Sequence, residues 1–122
     1  MDHQQQKTLA LAWEKLAPAL GSDLRTIQRE VKQGVAQLAM WGDHEFFTVL
    51  RPEVCAQGKE LVIVAAAGKN SLKYLAEIKR LAIEQGFYSI RLHTLKPAAM
   101  LRMSDSVNLG FAPAETILRA VL

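Results

Sequence analysis

From Thr8 to Leu20, apolar residues recur at Leu9, Trp13, Leu16 and Leu20, with Ala12 and Ala17 between them. This is the spacing of one helical stripe, and it predicts a first amphipathic helix, bent or shortened by Pro18. Gly21-Ser22-Asp23 interrupts that helix and supplies a cap, after which Leu24, Ile27 and Val31 define a second stripe ending at Gly34. Val35 to Trp41 reads as a strand, Gly42-Asp43 as a turn, and Phe46 to Val54 as a second strand with several β-branched or aromatic residues. Together these predict an antiparallel hairpin.

Gln57-Gly58 punctuates the chain before Leu61-Val62-Ile63-Val64-Ala65, a continuous apolar run short enough to be a strand buried on both faces and therefore the expected centre of a sheet. Leu72, Leu75, Ile78 and Ala82 mark a longer helix that closes at Gly86, with Phe87 set to pack back on its last turn. Ser89 to Leu95 then alternates, with Ile90, Leu92 and Thr94 on one side and Arg91 and His93 on the other. A helix crossing between two strands implies that they pair in parallel. Lys96-Pro97-Ala98-Ala99 opens a further helix, Gly110 ends it, and Glu115 to Leu122 is a last strand. No repeat, linker or low-complexity tract divides the chain. The fold class expected is α/β (α+β), one domain over residues 1–122, with a mixed central sheet and the order α-α-β-β-β-α-β-α-β.

Composition adjusts this picture in three ways. Half of the 122 residues are apolar, enough for one core of ordinary size. Cys55 is the lone cysteine, so no internal disulfide can form, and no Cys/His cluster has the spacing of a metal site; a reducing intracellular setting follows. The start Met1-Asp2-His3-Gln4-Gln5-Gln6 lacks a basic segment followed by an apolar run, and no apolar stretch approaches the roughly 18 to 20 residues that span a bilayer, so a soluble, cytoplasmic chain without a membrane partner is expected.

Charge is uneven. The net charge is +3, yet residues 69–102 alone carry +5, from Lys69, Lys73, Lys79, Arg80, Arg91, Lys96 and Arg102 against Glu77 and Glu84. That excess is an opening for an anion such as a phosphate-bearing cofactor or nucleic acid, although Lys and Arg on the polar face of a helix are ordinarily just solvated. Nucleic-acid binding would also call for aromatic residues among the basic ones, and aromatics make up only 7% of the chain, so nucleic acid is the weakest partner class.

The deduced order, with the turn Ala66-Ala67-Gly68-Lys69-Asn70-Ser71 between the central strand and the long helix and the pair Gly110-Phe111 before the last strand, resembles the GNAT-type N-acetyltransferase fold over nearly the whole chain. The likeness is nearest to small acyltransferase-like proteins of phages and prophages, in which strand text such as Ser89-Ile90-Arg91-Leu92-His93-Thr94 follows an Ala-x-x-x-Gly helix end, here Ala82 to Gly86. The resemblance implies a phage or prophage setting, localisation in the bacterial cytoplasm or in the virion, and, for active members, acetyl-CoA as cofactor. Its pyrophosphate would lie on the backbone N–H groups of a Gln/Arg-x-x-Gly-x-Gly/Ala loop at a helix N-terminus. In this chain the two glycine slots fall on Ala67 and Lys69 and the Gln/Arg slot on Val64; Gly68 remains, with Lys69, Asn70, Ser71 and Lys73 as the residues able to hold a phosphate. The family's tyrosine acid, four residues before Gly-Phe, is here Ser106, a much weaker acid than a phenol with a pKa of about 10. For a base that takes the amine proton through water, the fold implies Glu53 or His93.

No Gly-x-Ser-x-Gly elbow, Walker loop or His-Glu-x-x-His motif is present. The sequence therefore favours a non-catalytic or degenerate acyltransferase-like protein that acts in interactions or virion structure, through a protein partner or self-association at the hairpin or the edge of the last strand. The alternative is an acetyl-CoA-dependent N-acetyltransferase with an atypical pyrophosphate loop.

Overall fold

The computed structural model describes residues 3–93, 112–114 and 117–122. Helix α1 (His3–Leu20) and helix α2 (Leu24–Lys32), joined by a 3-10 turn at Gly21–Asp23, precede strands β1 (Gln37–Trp41), β2 (Phe46–Cys55) and β3 (Gly58–Gly68). Helix α3 (Ser71–Glu84) leads to β4 (Ser89–His93), and β5 (Ala112–Ala114) and β6 (Ile117–Val121) follow. The six strands form one sheet in the order β1-β2-β3-β4-β6-β5. All neighbours are antiparallel except β3 and β4, which are parallel with α3 as their crossover. The fold is thus mixed α+β with a mixed sheet. The expected helix from Lys96 and the Gly110-Phe111 pair lie outside the described residues, as do Thr94, Leu95 and Ser106.

Several boundaries differ from the sequence expectation for local reasons. Helix α1 runs through Pro18 to Leu20: the proline stands in the last turn with its ring exposed, so the one i→i−4 bond that its missing N–H removes lies at the helix end and the helix stops two residues later. Asp23 makes no side-chain cap to α2, because the chain passes from the 3-10 turn straight into the helix with Asp23 already in helical conformation. Strand β1 starts at Gln37 instead of Val35, since the N–H groups of Val35 and Ala36 both donate to the Glu30 carbonyl and fold these residues back on the end of α2. Strand β3 is much longer than its apolar run. It is zipped to β2 from Cys55↔Gly58 to Phe46↔Gly68, so the ladder carries polar residues at both ends. The last strand is interior, between β4 and β6's other neighbour β5, so the sheet edge on that side belongs to β5.

The sheet separates two apolar layers. On one face Leu61, Ile63, Ile90, Leu92 and Ala120 meet Leu75, Ile78 and Ala82 of α3. On the other, Phe47, Val49 and Ala65 meet Ala12, Leu16 and Leu20 of α1 and Ile27 of α2. Helix α3 closes as expected: Phe87 N–H donates to Ala82 O and Gly86 N–H to Ile83 O, the paired bonds of a left-handed glycine stop, and Phe87 packs against the α3-side core.

Strand β3 contributes to both layers because its phase changes midway. The β2–β3 register slips between Val49↔Ala65 and Leu50↔Ile63, leaving Val64 as one extra residue. Before it, Leu61 and Ile63 face α3; after it, Ala65 and Ala67 face α1 and α2. The parallel ladder to β4 also ends at this point, at Ile63↔Leu92, while β3 continues to Gly68.

Candidate functional site

The corner singled out by sequence is the turn from β3 into α3. Gly68 has φ +133°, and a Cβ there would lie 2.2 Å from the Glu45 carbonyl oxygen and 2.8 Å from Phe46 Cα. The glycine is thus required by the close approach of the β1–β2 turn. Lys69 N–H then donates to that same Glu45 carbonyl at 2.7 Å. Asn70, left-handed at φ 60°, occupies the N-cap position of α3 but makes no side-chain cap; its Nδ2 instead donates to Glu45 Oε2 at 2.9 Å. Tyr74, one turn into the helix, donates its hydroxyl to the same Oε2 at 2.7 Å.

The Glu45 carboxylate is therefore held beside the first turn of α3 by two donors. Their hydrogen bonds, Asn70 first and Tyr74 second, outweigh partial burial and, with the charges of Lys73 and Lys69, keep its pKa below the ordinary carboxylate value. The same bond raises the Tyr74 phenol, since donation to a carboxylate favours the protonated form. Tyr74 stacks on Phe46 with ring centroids 5.9 Å apart, and Lys73 Nζ stands 5.3 Å from the Tyr74 ring centre. Gly42 belongs to the same arrangement: a Cβ there would fall 2.1 Å from the Tyr74 hydroxyl. Both glycines make room for the chain itself.

These contacts decide how the corner fits a cofactor pyrophosphate. The turn's Lys69 N–H and the Asn70 amide are already committed to Glu45, and a carboxylate sits among the cations that an incoming phosphate would need. As they stand, Gly68, Lys69, Asn70, Ser71 and Lys73 do not fit that group.

The two proposed bases lie elsewhere on the sheet. Glu53 pairs with Glu60, whereas Phe46 pairs with Gly68; seven residues of β2 separate the two levels, about 23 Å at 3.3 Å per residue. Glu53 is part of a ladder of alternating charge across the α1/α2 face of β2, β3 and β4. Arg51 Nη1 donates to Glu30 Oε1 at 2.8 Å and its Nη2 to Glu53 Oε1 at 3.2 Å. Arg91 Nη2 donates to Glu53 Oε2 at 2.7 Å, and Arg91 Nη1 lies 3.3 Å from Glu60 Oε1. The Ser89 hydroxyl completes the series on Glu60 Oε2 at 2.5 Å. Glu60 is only 4% exposed, so this ladder solves a burial problem as well as a surface one.

His93, the last residue of β4, follows Leu92, which pairs with Ile63; it stands near the level of the Val64 bulge, closer to the Gly68 corner than Glu53 is. Burial, then Arg91 and Arg51, lower its pKa, with Glu53 opposing, so it is neutral at pH 7. The structure brings Glu53 and His93 to one face but does not bring Glu53 to the Gly68 corner.

Sequence reasoning missed Glu45 and Tyr74, and it missed Glu30, Arg51, Glu60 and Ser89. The alternation Arg51-x-Glu53 and Ser89-x-Arg91 on β2 and β4, the two strands that flank β3, was the available signal for the ladder. Ion pairing engages two of the basic residues between 69 and 102: Arg91 is held by Glu53 and Glu60, which lie outside that segment, and Arg80 by Glu77 and Glu84, which lie within it. Cys55 ends β2, exposed, with its thiol on Gly58 O and the Tyr88 hydroxyl. Among the described residues no group of three or more His, Cys, Asp or Glu is arranged for a metal ion, and no helix is long and apolar enough to cross a membrane. Comparison with protein-family models, with curated proteins and with solved structures returns no match to this chain.

Proposed function

We propose that the chain has a GNAT-like fold and is a degenerate acyltransferase-like protein that works by binding, in protein interactions or virion structure in a phage or prophage setting. The architectural part is supported by the order α-α-β-β-β-α-β, by the parallel β3/β4 pair with α3 between, and by an antiparallel last strand beside β4. The setting rests on the sequence resemblance alone. The observation that carries the loss of transfer chemistry is Glu45: its carboxylate and carbonyl take the donors of the very turn that would receive a pyrophosphate.

The test is thermal melting with and without millimolar CoA or acetyl-CoA. A ligand that binds only the folded state raises the midpoint, by about 2.7 kcal/mol of stabilisation at one hundred times its Kd. The expected result is no shift. A clear rise in the native chain overturns the proposal.

One observation favours the alternative of a working acetyl-CoA-dependent N-acetyltransferase. The Val64 bulge coincides with the end of the β3–β4 ladder, and bulges of this kind are concentrated beside active sites. In that case His93, neutral and near the bulge, is the base to test ahead of Glu53, whose oxygens are engaged by Arg51 and Arg91.

A further inference from the structure

Helix α2 carries its cations on one side. Arg25, Arg29 and Lys32 recur at i, i+4 and i+7, all exposed, with Thr26 and Gln33 exposed beside them, so every residue of the outward face offers a hydrogen-bond donor and none is a carboxylate. The one acidic residue of the helix, Glu30, is turned to Arg51 on β2. Its apolar residues Leu24, Ile27 and Val31 pack into the core layer shared with α1. The other arginines between residues 3 and 93 are each held by two carboxylates: Arg51 by Glu30 and Glu53, Arg80 by Glu77 and Glu84, and Arg91 by Glu53 and Glu60. Arg25, Arg29 and Lys32 form no ion pair among the described residues.

Helix stability accounts for Arg29 and Lys32, because cations in the last turn meet the negative end of the helix dipole. Arg25 has no such account. It stands in the first turn, where the dipole opposes a cation and no acidic side chain of that turn offsets it, and it repels Arg29 four residues on. In a helix of nine residues with Ile27 as its one buried residue, both effects work against the fold. A residue that weakens its own helix, on a face made of donors, is placed to meet an anion from outside the chain.

We propose that the outward face of α2 binds a carboxylate-rich segment of another protein. The stripe from Arg25 to Lys32 is about 10 Å long at 1.5 Å per residue. An acidic helix with Glu or Asp at the same i, i+4, i+7 spacing sets one carboxylate against each cation, and the forks of Arg25 and Arg29 can each give a carboxylate two N–H donors. The stripe is short for a nucleic-acid backbone, which typically draws about 6 to 10 cationic contacts: Asp23 precedes it, and the uncharged Gln33, Gly34 and Val35 follow it. A membrane surface is also a poor fit, because the apolar residues with which a helix would enter it, Leu24, Ile27 and Val31, are turned into the core. The inference rests on the interaction reading and deepens it by giving the partner's chemistry.

The probe is a fluorescein-labelled, alanine-based helical peptide with glutamates at i, i+4 and i+7, titrated with the full chain at low salt and read by anisotropy; a twin peptide has glutamine at those positions. The glutamate peptide should bind with a Kd below about 1 mM, and the twin about tenfold more weakly, the sum of three exposed pairs. Arg25→Glu should weaken the glutamate peptide on the order of tenfold, since it turns an attraction into a repulsion. Lys7→Glu, the same charge change on an exposed residue of α1, should alter binding by under about twofold. Arg25→Glu should also raise the thermal midpoint, by roughly 2–4 °C, because it relieves both the dipole and the Arg29 repulsion, so its loss of binding is not a loss of fold. Failure of the glutamate peptide to bind by 1 mM, an equal loss in Lys7→Glu, or a fall in the Arg25→Glu midpoint overturns the inference. So does tighter, Arg25-dependent binding to duplex DNA or to phosphatidylserine vesicles. None of these readouts uses CoA, and a CoA-dependent rise in the melt overturns the degenerate-enzyme reading alone.

Discussion

Glu45 and Tyr74, 29 residues apart in sequence, meet through a 2.7 Å hydrogen bond that ties the β1–β2 turn to the first helical turn of α3. Asn70 adds a second donor to the same oxygen, and Gly42 and Gly68 supply the space. Removal of the Tyr74 hydroxyl by Tyr74→Phe keeps the ring on Phe46 and deletes one donor to the carboxylate. The thermal midpoint should fall by roughly 2–6 °C, with less change when Glu45 has already been replaced by Gln.

Gly68→Ala is the more severe test of the same junction. The new methyl group would meet backbone atoms of Glu45 and Phe46, which cannot rotate away, at a φ that side chains rarely adopt. A loss of about 2–4 kcal/mol in urea unfolding is expected. Gly34→Ala, also at positive φ but with nothing within 4 Å, should cost only about 1 kcal/mol.

The junction also has a pH signature. The folded pKa of Glu45 is depressed, so its contribution to stability is complete above the unfolded value and is lost as pH falls through the folded one. The Tyr74 phenol is raised, so its contribution is complete below the unfolded value of about 10 and is lost as pH rises through the folded one. Stability measured against pH should therefore decline at both extremes, and the Glu45→Gln chain should show a smaller decline on the acid side.

Much of the scaffold was legible in sequence, and the reason is visible in the parts. Leu61 to Ala65 could be read as a central strand because four of its five side chains are buried, and α3 because Leu75, Ile78 and Ala82 recur at helical spacing on one core. The ends of β3 could not, because Lys59, Glu60 and Gly68 are drawn into the ladder by pairing with β2, a tertiary effect without local signal. The corner is legible through Gly68, as a strand-to-helix turn, but the contact of that glycine with Glu45 is not, because the approach of the β1–β2 turn follows only from the β2–β3 register and its Val64 bulge.

The arginine ladder should separate buried from exposed ion pairs. Arg91→Ala leaves the 4%-exposed Glu60 with its arginine removed, and a loss of about 3 kcal/mol in chemical denaturation is expected. Arg80→Ala removes two solvent-exposed helix pairs, with Glu77 and Glu84, and should change the denaturation midpoint far less than Arg91→Ala does. Replacing Glu60 by Gln in the Arg91→Ala chain should recover part of the loss.

His93 reports on the same ladder. Its pKa is lowered by burial and by Arg91 and Arg51, so below the unfolded value of about 6.5 the unfolded chain binds a proton that the folded chain refuses, and stability falls as pH drops toward the folded value. In an NMR titration its ring should change below the ordinary histidine value, and Arg91→Met should move that change upward.

The placement of Glu45 sets a threshold for occupancy of the α3 corner. A carboxylate tethered there by a short turn competes at a high effective concentration, of the millimolar order that short linkages give, so a free phosphate must displace an intramolecular rival before it gains anything from Lys69 or Lys73. Affinity for anions at this corner is therefore governed less by the cations around it than by a single acidic residue 24 positions before Lys69 in the chain, and evolution could switch it on or off there without touching the loop.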